Sequence, residues 1–165
     1  MPILIMESVS GPNRPSSLKK IPKEYMSITE VLLIVGRVLF ALLFISSGVS
    51  HITKNAAMTS YAQYKKIPMA KIAVYVSGVM LVLGGVYIAL GFYADLGALL
   101  LAAFLIPTAF LMHPFWKESD ATAKQNESIA FFKDLSLAGA AMIIFALLRG
   151  GADFGNTVGT LLFFS

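Results

Sequence analysis

The chain has 165 residues, of which 57% are apolar and 13% charged, with a net charge of +4 and no cysteine. A soluble domain of this size cannot hide so much apolar surface, whereas a bilayer takes it as the surface facing its solvent. Without cysteine the chain holds no disulfide, thiolate nucleophile or cysteine-ligated metal, and its bases beside apolar segments point to anionic headgroups rather than nucleic acid.

Residues 1–27 open with an apolar stretch too short for a signal core. Ser, Gly, Pro and Asn then dominate, so a flexible N-terminal segment is expected. Lys19, Lys20 and Lys23 lead into the first long apolar run, residues 31–49, interrupted only by Arg37. Three further runs follow at 72–94, 96–112 and 129–148, the last with Lys133 and Asp134 near its start. A helix needs about 20 residues to cross roughly 30 Å of hydrocarbon. None of the runs alternates as a membrane strand does. The expected fold is therefore all-α: a polytopic four-helix membrane bundle over residues 28–149, with a C-terminal tail from 150 to 165.

The connections differ. The first, residues 50–71, is basic, and Tyr61 and Tyr64 share a helical face within it. A short interfacial helix is expected between the first and second spans, ended by Pro68. The second connection is minimal and makes a hairpin. The third, residues 113–128, is polar. Pro107 removes one backbone hydrogen bond from the third span. Small residues such as Gly48, Gly84 and Gly85 permit close helix approach in lipid. The positive-inside bias is nearly balanced, and the basic cluster before the first span favours cytoplasmic termini.

The first and third spans run the same way, so His51 and His113 end at one face, where Lys133 and Asp134 also start the fourth span. Trp116 lies in the loop between. Together these five residues form a candidate polar site for a quinone headgroup or small molecule. Anchoring and capping at helix ends explain most such residues without any ligand, and Asp134 in a first turn would simply suit the helix dipole. The functional alternative for Asp134 is proton relay with His113 or Lys133. A metal or haem held by the two histidines is the least favoured reading, and no metal is expected. Arg37, at membrane depth, needs a partner; Glu30 and Asp95 are the candidates for a structural ion pair. Nucleotide-binding, metalloprotease and serine-nucleophile motifs are absent.

Two stretches carry a family likeness. One runs from Gly36-Arg37 to Ser46-Ser47-Gly48, followed by Lys54; the other is His113-Pro114-Phe115-Trp116 with Phe131-Phe132-Lys133-Asp134. Together they resemble the DoxX family of small four-helix membrane proteins. The resemblance implies a membrane subunit or accessory component of a quinone-linked redox complex, with quinone as the ligand and other protein subunits as partners. A non-catalytic scaffold within a larger membrane complex is the alternative. Departures are Asp134, where the family usually has Asn, and the lack of a Glu near Val76-Ser77-Gly78.

Overall fold

A computed structural model describes residues 27–152 and residue 154. The expected N-terminal segment up to residue 26, and the tail from 155 onward, lie outside the described residues. The elements are α1 (Ile28–Thr53), α2 (Asn55–Tyr64), α3 (Ala70–Leu90), α4 (Ala94–Met112), a single 3-10 turn (Phe115–Lys117) and α5 (Ala121–Arg149). Among the described residues, α1, α3, α5 and α4 continued through the 3-10 turn are long and apolar enough to cross a membrane. Helix is the solution lipid enforces, because it satisfies every backbone N–H and C=O internally. The short α2 sits between the first and second spans, as the sequence indicates.

Local chemistry sets the helix ends. Ser27 and Glu30 form a reciprocal capping box at α1: the Glu30 N–H donates to Ser27 Oγ at 3.2 Å, and the Ser27 N–H to Glu30 Oε2 at 2.7 Å. Ser27→Ala is expected to cost about 1 kcal/mol, read as a lower melting temperature in detergent. The Asp120 carboxylate caps α5, accepting from the Ala123 N–H at 2.8 Å. The α3–α4 hairpin turns at Gly91–Tyr93, where Gly91 takes φ 69°.

The start of α5 departs from the sequence expectation. The hydropathy run begins at residue 129, but the helix begins at Ala121. Its 29 residues measure about 44 Å at ~1.5 Å each, more than the hydrocarbon needs, so its polar first turns project beyond the apolar layer. Asp134 therefore lies more than three turns into the helix. The dipole at the helix start, satisfied by Asp120, does not account for it.

The spans pack in the order α1 on α3, α3 on α4 and α4 on α5. Two of these contacts are nearly backbone on backbone. A Cβ at Gly48 would lie 2.7 Å from the Gly78 carbonyl oxygen, and one at Gly97 would lie 2.9 Å from that of Gly84. Glycine at these crossings lets the helices approach without hydrophobic drive, which lipid does not provide between spans. One buried cluster joins Phe44, Leu81, Ile88, Leu101, Leu105, Ala138 and Leu148. A smaller one, Ala62 with Ala70 and Val74, seats α2 on the start of α3.

Candidate functional site

Near the C-terminal ends of α1 and α4, the helices line a half-open cavity of about 430 Å³, within the roughly 300–1,000 Å³ usual for small-molecule sites. Leu43, Phe44, Leu81, Phe104, Leu105 and Leu137 give it apolar walls. Met58, Tyr61 and Ala62 of α2 also line it. Besides the Tyr61 hydroxyl, its polar groups are Ser47, His51, Ser77, Thr108, His113, Lys133 and Asp134. Pro107 and Ala103 line it too. Proline at 107 has no N–H for the Ala103 carbonyl one turn back, so a lining residue carries a backbone acceptor without its helical bond.

His51, at the end of α1, approaches α3: Nδ1 is 2.8 Å from Ser77 Oγ. The Ser77 hydroxyl donates to the Val74 carbonyl at 2.8 Å, so Ser77 Oγ accepts from His51 Nδ1–H. That leaves Nε2 of His51 as the acceptor nitrogen. The ring meets Phe104 edge-on, with centroids 6.2 Å apart.

His113 follows α4 and stands between two carboxylates of α5. Nδ1 is 2.7 Å from Glu127 Oε2, and Nε2 is 3.7 Å from Asp134 Oδ2. Glu127 and Asp134 are seven residues apart, two helical turns, so both present the same face of α5 to the ring. Lys133 Nζ is 3.6 Å from Asp134 Oδ1. At the other end, Lys65 Nζ of α2 is 2.8 Å from Glu127 Oε1 and 3.9 Å from Glu118. The Tyr61 hydroxyl donates weakly to the same Glu127 oxygen at 3.5 Å. Burial pulls the Lys65 ammonium toward a lower pKa, but its hydrogen bond to Glu127, with the charges of Tyr61, Glu127 and Glu118, outweighs this and raises it. Burial and the Glu127 charge raise the Tyr61 pKa.

Of the five residues grouped from the sequence, His51, His113, Lys133 and Asp134 meet at the cavity. Trp116 does not line it. Half-exposed, it packs among Phe110, Phe115 and Phe131, with centroids 5.2 to 6.5 Å away, in the manner of an interfacial aromatic anchor. The sequence reading missed Ser77, Glu127 and Lys65. Only Glu127 left a trace, being seven residues before Asp134 on a helix whose polar first turns hydropathy does not register.

Arg37 and Asp95 are both buried, and neither lines the cavity. Arg37 Nη1 donates to the Phe154 carbonyl at 3.0 Å, and its guanidinium lies over the Phe154 ring, 5.2 Å from the centroid. Asp95 Oδ1 accepts from the Leu96 N–H at 2.9 Å in the first turn of α4, where the dipole favours a carboxylate. Glu30 serves the α1 capping box. No group of three or more metal-ligating side chains converges among the described residues.

The fold and cavity define a small multi-pass membrane protein with a half-open, polar-ended pocket between its helices. The DoxX family model matches residues 32–114, from α1 through α4. Two inner membrane proteins of Escherichia coli strain K12 are similar. YphA is 29% identical over 114 residues, 69% of this chain and 81% of that protein. YqjF is 30% identical over 124 residues, 71% of this chain and 84% of that protein. No solved structure matches. The chain belongs to the DoxX family.

Proposed function

We propose that this protein is the membrane subunit or accessory component of a quinone-linked redox complex, and that the cavity receives the quinone headgroup. The observation that carries this reading is an apolar cavity of about 430 Å³ with ionisable and hydrogen-bonding groups among its lining residues. The chemistry fits both redox forms. Lys133 supplies a donor for a quinone carbonyl. Nε2 of His51 supplies an acceptor for a quinol hydroxyl. The apolar walls suit the ring and the start of a lipid tail. A redox partner protein would supply or remove the electrons at the membrane surface. We place the protein in the cell membrane, as with its inner-membrane relatives, and its termini in the cytoplasm on the strength of Lys19, Lys20 and Lys23.

The test is solvent extraction of detergent-purified protein for bound quinone, followed by titration of the stripped protein with a short-chain ubiquinone. Saturable binding is expected, weakened about tenfold by Lys133→Ala or His51→Ala, the loss of one charged or buried hydrogen bond. Absence of binding at saturating quinone would refute the proposal and favour a non-catalytic scaffold.

A further inference from the structure

The cavity is connected to the polar end of α5 by one continuous set of side chains. Asp134 lines the cavity and Glu127 does not. Two helical turns, about 10.5 Å of rise, separate them on α5. The His113 ring fills that interval, with Nε2 toward Asp134 and Nδ1 toward Glu127. Beyond Glu127 the helix face opens to exposed Lys124, Gln125 and Asn126. A carboxylate, an imidazole and a second carboxylate, in this order from an apolar interior to solvent, form a proton path, since imidazole can accept at one nitrogen while releasing at the other.

The geometry points to Asp134, His113 and Glu127 as the route by which protons pass between a quinol in the cavity and water at the start of α5. This rests on the quinone reading above. With the ring donating Nδ1–H to Glu127, Nε2 is the bare nitrogen and faces Asp134. The overall reaction is QH2 → Q + 2e⁻ + 2H⁺, with the electrons taken by a one-electron acceptor such as a haem or iron–sulfur protein. For each proton, a quinol O–H bond breaks and an O–H bond forms on Asp134. That proton moves to Nε2 of His113 while the Nδ1 proton moves to Glu127 Oε2. Glu127 then releases it to water. The ring regains its first tautomer before the second proton by exchange with water, losing the proton at Nε2 and taking one up at Nδ1. Quinone reduction uses the same steps reversed. The Nε2 to Oδ2 separation of 3.7 Å is longer than a hydrogen bond, and such contacts tighten when a site fills.

Among the described residues, charged and titratable groups of α2, α5 and the α4–α5 connection face the path. Lys133 faces Asp134, Lys65 and Tyr61 of α2 face Glu127, and Glu118 reaches the path only through Lys65. Each carboxylate thus sits between a cation and the ring. His51 lines the same cavity on α1 but bonds to Ser77 instead.

The experiment uses the full-length protein loaded with a short-chain ubiquinol and mixed rapidly with ferricyanide. A pH-indicator dye reports proton release, and infrared difference spectra report a protonated carboxyl group. Expected results are proton release slowed about 100-fold by Glu127→Gln, His113→Ala and Asp134→Asn at saturating quinol, with the carboxyl band altered by Asp134→Asn. Added imidazole should restore the rate in His113→Ala, which a merely structural role for the ring would not produce. Glu127 does not line the cavity, so Glu127→Gln keeps quinol affinity within a few-fold and tests the route even if His113→Ala fails to fold. Unchanged release rates with quinol bound would overturn the route and leave the quinone reading standing. Absence of quinol binding would overturn both.

Discussion

Replacing Gly48 with leucine is expected to unfold the α1–α3 pair or nearly so, with a loss of at least about 3 kcal/mol, the upper range for overpacking. Even a Cβ there would sit 2.7 Å from the Gly78 carbonyl oxygen and 2.9 Å from the Val82 nitrogen. Both are backbone atoms of α3 and cannot rotate away, so α1 must lift off. Lifting would also pull His51, one turn further along α1, from Ser77. The internal control is Gly36→Leu, because a Cβ at Gly36 meets nothing within 4 Å and the change should stay within about 0.5 kcal/mol. Thermal or steric-trap unfolding in detergent would compare the two. Equal stability of both variants would refute the packing assigned to this crossing.

The second large effect is expected at Lys65. Its side chain is 8% exposed and pairs at 2.8 Å with a Glu127 that is 17% exposed. Removing one partner of so enclosed a pair leaves the other charge poorly compensated, and about 3 kcal/mol is expected for Lys65→Ala. Glu127→Ala should cost a comparable amount, and the double variant less than the sum, since both remove one interaction. The loss should concentrate in α2, read as faster backbone hydrogen exchange over Asn55–Tyr64. The pH dependence follows from the direction of the shift. Folding raises the Lys65 pKa above its ordinary 10.5, so its contribution is fully present below that value and lost as pH rises through the raised one. The anchoring of α2 should therefore be flat through neutral pH and fail in strong alkali, or in acid once Glu127 is protonated. Loss of protection in α2 already at neutral pH would contradict this.

The spans were legible because hydrocarbon imposes length and apolarity on every crossing residue, and the short α2 showed in its tyrosine spacing, although it ends at Tyr64, four residues before the Pro68 expected to stop it. Hydropathy could not place the start of α5, since residues 121–128 are helical yet polar. Asp120, the capping residue, was the available signal. The gathering of His51, His113, Lys133 and Asp134 was legible from span direction alone. Their partners were not. Lys65 and Glu127 are 62 positions apart and His51 and Ser77 are 26 apart; no local pattern encodes such pairings. Trp116, adjacent in sequence to the His113 segment, turns away because the 3-10 turn directs it to the phenylalanines of α4 and α5.

The packing order of the spans also bears on how the protein is made. Each span after α1 docks mainly on the one synthesised just before it: α3 on α1, α4 on α3 and α5 on α4. Domains emerge N-terminus first during synthesis, so an incoming span finds its docking surface already in the bilayer. No span has to wait beside unmatched lipid for a distant segment still on the ribosome. The cavity is completed last, when α5 arrives with Lys133 and Asp134.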